Sequence, residues 1–289
     1  MSGWLPETTY PDHAWCGPTE VVENVEIARD TYRVRFGCPQ LAAEILPGQF
    51  LMLRLAGTDD PLLGRPLAMY DVVLDRGQPW GVDVVYLAVG KLTRRLAACR
   101  AGDRLEVWGP LGNGFQPTEA EHLVMVAGGI GQTPFYALGQ EALGRSYGRT
   151  ARGRHAASRV TLCYGAKTAA LLAGIDDFRS AGVEVQVATD DGSAGHHGLV
   201  TELIEPLVGG SGSAASLVCC GPEPMLKTVS QIARRLGVPC QVSLETPMAC
   251  GMGICFSCVT KVRDGRGGWD YRRTCVEGPV FDAEKIDFD

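Results

Sequence analysis

Four cysteines near the end of the chain, Cys250, Cys255, Cys258 and Cys275, stand as C-x4-C-x2-C followed, after 16 intervening residues, by a fourth C. Four thiolates at that spacing can converge on a two-iron, two-sulfide cluster, and Gly251 and Gly253 let the backbone approach it without a Cβ in the way. A structural zinc site would also take four thiolates, usually from two close pairs. Only one close pair, Cys255 and Cys258, is present, which favours the diiron cluster over zinc or unligated thiols. Such a cluster carries one electron at a time, at a potential set by burial and by hydrogen bonds to sulfur, so it calls for a redox partner on each side. The other seven cysteines, Cys16, Cys38, Cys99, Cys163, Cys219, Cys220 and Cys240, mostly lie in or beside apolar runs, where a small buried thiol is common. Cys220 differs, because it ends an apolar strand just before Gly221 and Pro222, at the edge where parallel sheets gather ligands.

A second constellation is the turn Gly128, Gly129, Ile130, Gly131, Gln132, Thr133, which follows the run HLVMVA and precedes a helix opening at Pro134. Glycines let a backbone approach a diphosphate, and the amides and dipole at a helix start attract it. A plain strand-to-helix connection would use the same residues. The turn has companions, however: YGAK, TDDGS and CGP each follow an apolar strand and would share one sheet edge. Asp190 and Asp191 would repel a 2′-phosphate there, which favours NAD over NADP, unless they only cap the turn. A third candidate is Arg65, which opens a strand after the turn DDPLLG. It offers a fixed cation for a phosphate, or else a surface ion pair.

The elements that must position these residues fall into two kinds. Residues 19–115 read as short β runs broken by Gly and Pro turns, the pattern of an antiparallel barrel or sandwich, with one helical piece at 92–99. From His122 onward apolar strands alternate with helical stretches, which implies βαβ units and a parallel sheet. After Leu244 the chain turns rich in Gly, Cys and Met. The basic stretch at 144–159 reads as a solvated loop. The expected division is an N-terminal extension at 1–18, a barrel at 19–117, a nucleotide-binding domain at 118–243 and a cluster domain at 244–289.

The 289 residues, 45% hydrophobic and 21% charged, suit two or three globular domains. A net charge of −6 disfavours general nucleic acid binding. No apolar run is long enough for a membrane helix, and the start has no basic segment followed by an apolar one, so a soluble, cytoplasmic protein is expected.

Taken in order, RPLAMY, VGKLTRRL, GPLGNGF, AGGIGQTP, YGAK, TDDGS and CCGPEPM make the chain resemble the ferredoxin reductase-like flavoproteins over about residues 19–240. With ETPMACGMGICFSC and the late Cys275, it is similar to the electron transfer subunits of NAD-dependent, class 1B dihydroorotate dehydrogenases. The resemblance implies a FAD barrel, a nucleotide domain and a [2Fe-2S] domain in that order. FAD would lie against Arg65, Pro66, Leu67 and Ala68, with Val85, Tyr86, Leu87, Leu92 and Thr93 holding the rest of it. NAD would lie against Gly128, Gly129, Gly131, Asp190, Gly221 and Pro222, with Cys220 and Thr133 flanking the nicotinamide. The cluster would sit on Cys250, Cys255, Cys258 and Cys275.

The implied route, in pyrimidine biosynthesis, runs from dihydroorotate to FMN in a separate catalytic subunit, then through the cluster and FAD to NAD, in a heterotetramer of two subunits of each kind. The region around Met248 and Met252 is the expected partner surface, unless these side chains pack over the cluster instead. Two positions depart from the family pattern: Ala68 stands where serine is usual, and Leu92 where glycine precedes the threonine. Ferredoxin:NADP and sulfide oxidoreductase subunits share the same motifs, and a non-enzymatic redox sensor would need the same cofactors without turnover.

Overall fold

The computed structural model describes residues 11–117, 119–148, 152, 156–209 and 214–288. Its first half is a seven-stranded antiparallel sheet rolled around its own core. The strands are β1 (Trp15–Ala28), β2 (Thr31–Gly37), β3 (Phe50–Leu55), β4 (Arg65–Ala68), β5 (Asp71–Asp75), β6 (Gln78–Leu87) and β7 (Arg104–Leu111), in the order β4-β3-β7-β1-β2-β6-β5. Alternation sorts the two faces: on β7 Leu105 and Val107 point into this core, while Arg104, Glu106 and Trp108 do not. Val34, Phe36, Leu51, Leu53, Val82 and Val84 fill the interior. Helices α1 (Pro39–Glu44) and α2 (Lys91–Ala97) cover it, the second through Leu92 and Leu96.

The apolar run PLAMYDVVL at 66–74 is divided between two strands, β4 and β5, on opposite edges of the sheet. Between them Met69 and Tyr70 turn into the interior, and Tyr70 donates its amide to the Asp83 carbonyl and its hydroxyl to Asp177 at 2.8 Å. Burying that aromatic costs the chain its strand continuity and fixes where β4 is left exposed.

The second half is a sheet of β8 (His122–Gly128), β9 (Arg159–Ala166), β10 (Glu184–Thr189), β11 (His196–His197), β12 (Ala215–Cys220), β13 (Cys240–Ser243) and β16 (Val280–Asp282), in the order β11-β10-β9-β8-β12-β13-β16. Helices α3 (Phe135–Ala142), α4 (Ile175–Ser180), α5 (Ile204–Val208) and α6 (Glu223–Leu236) connect and cover these strands. All pairings are parallel except the last. The tail leaves at Leu244, forms the cysteine loop and the hairpin β14 (Val259–Arg263) and β15 (Trp269–Arg273), then returns as β16 antiparallel to β13. The cluster region is thus stitched into the nucleotide sheet, where a purely parallel sheet was expected.

One apolar cluster joins the halves, with Tyr70, Val85 and Phe115 against Phe135, Leu138, Phe178 and Val280. The basic stretch at 144–159 is not a plain solvated loop. Tyr147 is buried in the barrel core, and Arg152 clamps Glu141 with two bonds of 2.7 and 2.8 Å while donating to the Phe115 carbonyl. Residues 149–151 and 153–155 of that stretch lie outside the described residues.

Candidate redox site

The structure brings the four tail cysteines together as two pairs. Cys258 and Cys275 are buried with their sulfurs 3.1 Å apart, and Cys250 lies near enough to Cys255 to help hold its thiol down. No three His, Cys, Asp or Glu side chains among the described residues converge on one point a single ion could hold. Two pairs, rather than one tetrahedron, suit two irons sharing sulfides better than one zinc.

The loop also aims donors at sulfur. The Met252 amide donates to Cys250 at 3.3 Å, and the Gly253 amide faces Cys275. The Ser257 hydroxyl, 3.2 Å from Cys255, and its amide hold that thiol down to about 6. The hydrogen bond from Cys275 holds Cys258 down to about 6 and pushes Cys275 itself up. Lowered thiols are primed as thiolate ligands. The donor set therefore fits a [2Fe-2S] cluster.

Glycine geometry shapes this cradle and seats it on the barrel. Gly251 and Gly253 adopt φ of 72° and 81°, and a Cβ on Gly251 would lie 2.7 Å from Cγ of Met52 on β3. The indole Nε1 of Trp108 on β7 donates to the Cys250 carbonyl at 3.0 Å. Arg273 donates to the Gly253 carbonyl at 2.8 Å and covers the Phe256 ring at 4.9 Å.

The flavin stretch occupies an edge. Among the described residues strand β4 pairs only with β3 (Phe50↔Ala68, Leu53↔Arg65), so its outer backbone groups are open to a planar ring. The Arg65 guanidinium is exposed and donates to its own Leu63 and Gly64 carbonyls at 3.0 Å, available to a phosphate. Val85, Tyr86 and Leu87 end β6, where the Tyr86 side chain turns inward, stacks on Tyr32 and donates to Asn24 at 3.0 Å. Leu92 likewise points into the core, and the Thr93 hydroxyl caps its own helix by accepting from the Gly90 amide at 2.9 Å. Tyr86 and Leu92 can therefore meet a cofactor only through backbone. Those exposed surfaces fit FAD at β4 and at the turn before α2.

At the carboxyl edge of the second sheet, β8 and β12 run parallel with Ala127 opposite Cys220. The turn Gly129–Gln132 is a 3-10 turn, and α3 starts only at Phe135. Gly131 lies against the Cys220 backbone, and Gly128 against Pro222 and Met225, so these glycines serve strand-end packing as well as any ligand. Cys220 is half-buried, and burial pushes its thiol up to about 12, so it is neutral at physiological pH. Thr133 is buried directly after the turn whose Gly131 packs on the Cys220 backbone. Asp191 accepts from the Ser193 amide at 3.0 Å and hydroxyl at 2.5 Å and so caps the turn, whereas the exposed Asp190 carboxylate has no hydrogen-bond partner among the described residues. The sequence expectations missed Trp108 and Arg273, which stand at no recognisable spacing, and did not single out Gln132 and Ser257, which lie inside the glycine and cysteine motifs.

An antiparallel flavin-type barrel, a nucleotide sheet and a paired-thiolate tail define a ferredoxin reductase-like flavoprotein. The fold is shared with the ferredoxin reductase of carbazole 1,9a-dioxygenase (20% identical, TM-score 0.64, covering 78% of this chain and 67% of that one). A chain of an NADH-dependent reduced ferredoxin-NADP oxidoreductase is 30% identical, with a TM-score of 0.77 over 94% of this chain and 90% of that one. The profile of the oxidoreductase FAD-binding domain matches residues 18–115, and that of the iron-sulfur cluster binding domain of dihydroorotate dehydrogenase B matches residues 245–287.

The NAD(+)-dependent dihydroorotate dehydrogenase B electron transfer subunit of Caldanaerobacter subterraneus subsp. tengcongensis is 34% identical over 274 residues, 95% of this chain and 99% of the relative. That of Desulforamulus reducens is 36% identical over 262 residues, 90% and 94% of the two chains. The chain belongs to this family of dihydroorotate dehydrogenase B electron transfer subunits.

Proposed function

We propose that this chain completes the NAD half of dihydroorotate oxidation, receiving electrons from the FMN of a catalytic partner subunit and delivering them to NAD. The observation that carries the reading is the pairing of four thiols on a loop seated directly on the flavin barrel. When bound, FAD supplies the exchange between the hydride chemistry of nicotinamide and the single-electron chemistry of the cluster.

The protein's own residues bind and place. Cys250 and Cys255 would hold one iron, and Cys258 and Cys275 the other. Arg65 would meet a FAD phosphate while Pro66, Leu67 and Ala68 present backbone to the ring, with Val85 to Leu87, Leu92 and Thr93 along the remainder. Gly128, Gly129, Gly131, Gly221 and Pro222 would admit NAD, Asp190 would hold the adenosine ribose, and Cys220 and Thr133 would flank the nicotinamide. Hydride exchange between nicotinamide and a flavin asks the protein for placement rather than for an acid-base pair. The barrel at 19–117, extended back to Trp15 by β1, the nucleotide domain at 118–243 and the tail at 244–289 are the working divisions.

The partner would dock over the cysteine loop, where Ile254 is 73% and Phe256 62% exposed beside Met252 at 37%. Met248, expected on that surface, packs instead against Phe50, Met52 and Val276. Two catalytic and two electron transfer subunits would make the assembly. The proposed site of action is the cytoplasm; no helix among the described residues is long and apolar enough to cross a membrane.

The test is Cys255→Ser in the complete complex. It should abolish NAD reduction by dihydroorotate while NADH still bleaches the bound flavin. Equal loss of bleaching would overturn the modular scheme. A second reading, the flavoprotein subunit of a ferredoxin:NADP oxidoreductase, draws on the 0.77 TM-score above. Orotate formation by an FMN-containing complex favours the first reading, and ferredoxin reduction the second.

A further inference from the structure

Trp108 stands where the flavin-bearing strand and the cysteine loop meet. It lies on β7, opposite Met52 of β3, and Met52 lies opposite Pro66 of β4, so these three residues share one face of the sheet. The cysteine loop rests on that face: Gly251 has no room for a Cβ because of Met52, and Trp108 packs with Met52, Cys258, Cys275 and Val276. The indole then makes two contacts of opposite address. Its Nε1 donates to the carbonyl of Cys250 at 3.0 Å, and its ring edge lies so close to Gly64 that a Cβ there would sit 2.8 Å from it. Gly64 directly precedes Arg65. One rigid side chain therefore touches the backbone of a cluster cysteine on one side and the entry to the flavin stretch on the other.

We infer that Trp108 is the positioning residue that couples the cluster to the flavin, by fixing the Cys250 segment against β4 through its indole N–H. The inference rests on the reading of Cys250 as a cluster ligand and of β4 as the flavin strand. A buried or half-buried indole N–H needs an acceptor, and choosing the carbonyl of a ligand cysteine spends that need on register between two cofactors. The step it serves moves one electron and no heavy atom. When bound, FAD would exchange two electrons with nicotinamide and one at a time with the cluster, in either direction, so the step would ask of Trp108 only that it hold the Cys250 segment at a fixed place against β4.

The experiment compares wild type, Trp108→Phe and Trp108→Leu as purified full chains matched for FAD, iron and sulfide. Each is mixed anaerobically with NADH in a stopped-flow instrument, with freeze-quench EPR for the cluster. Flavin bleaching should keep its wild-type rate in both variants. Cluster reduction should slow about fivefold in Trp108→Phe, the effect of one net hydrogen bond on the docked population, and further in Trp108→Leu, with cluster potential and EPR line shape unchanged. An unchanged rate of cluster reduction would overturn the inference. So would a variant that loses iron while its remaining clusters are reduced at the wild-type rate, because the indole would then only retain the loop. Wild-type protein that takes up no FAD would remove the reading of β4, and the inference with it.

Discussion

Gly131 and Gly129 sit two residues apart in the nucleotide turn, and the structure asks different things of them. A Cβ on Gly131 would lie 2.2 Å from the Cys220 carbonyl oxygen, 2.5 Å from its carbon and 2.9 Å from the Gly221 nitrogen. All three atoms are backbone at the end of β12, which is held in register against β8, so no flexible side-chain tip can yield. Overpacking of this kind costs about 1–3 kcal/mol, and a backbone obstacle puts Gly131→Ala at the upper end, about 3 kcal/mol. At roughly 2–4 °C per kcal/mol for a domain of this size, the melting temperature should fall by about 6–12 °C.

Gly129 has nothing within 4 Å of an added Cβ but holds φ at +56°. Gly129→Ala should therefore lose only about 1–2 kcal/mol through backbone strain. Melting curves of both variants with FAD bound, together with NADH titration of flavin bleaching, test the contrast. Gly131→Ala should weaken NADH binding with the bleaching otherwise complete. A Gly131→Ala protein that melts with wild type and binds NADH equally well would refute the packing of the two strand ends.

Three further outcomes follow from buried or exposed polar groups. Gln132 is fully buried, and neither amide atom has a hydrogen-bond partner among the described residues, so Gln132→Met should stabilise the cofactor-free protein by about 1–3 kcal/mol; a lower melting temperature would contradict this. Burial raises the Asp71 carboxyl to about 7 despite a 3.2 Å bond from Gln140, so the folded state binds one more proton than the unfolded chain between about pH 4 and pH 7. Its contribution is present below pH 4 and is lost as pH rises through 7; Asp71→Asn should flatten that part of the stability profile by a few kcal/mol, on the order set by the shift, in urea titrations at pH 5 and pH 8. Asp190→Ser should raise the efficiency of NADPH relative to NADH by about tenfold, measured by flavin bleaching, and an unchanged ratio would place the ribose elsewhere.

Much of the fold was legible because its cues are local. Alternation in VWGPL and the other short runs marks the barrel, and apolar runs followed by glycine turns mark the parallel strands. The gathering of the tail cysteines was legible for a similar reason, since three of the four lie within nine residues of one another. What stayed hidden depends on distant partners. Nothing within VFD announces that it returns to pair with CQVS about 40 residues earlier, and the break at Met69 and Tyr70 is decided by Asp83 and Asp177. Tyr147 and Arg152 look like members of a basic loop until Glu141 and the barrel core are placed beside them. Trp108 reads as an ordinary outward strand residue, because its role depends on a carbonyl 142 positions away.

In the proposed function the tail holds two irons on two thiol pairs. Metal and sulfide analysis of anaerobically purified protein, with EPR before and after dithionite, tests it directly. The account predicts two irons and two sulfides per chain, silent when oxidised and giving one unpaired electron when reduced. Stoichiometric zinc with no iron, and no signal on reduction, would contradict it.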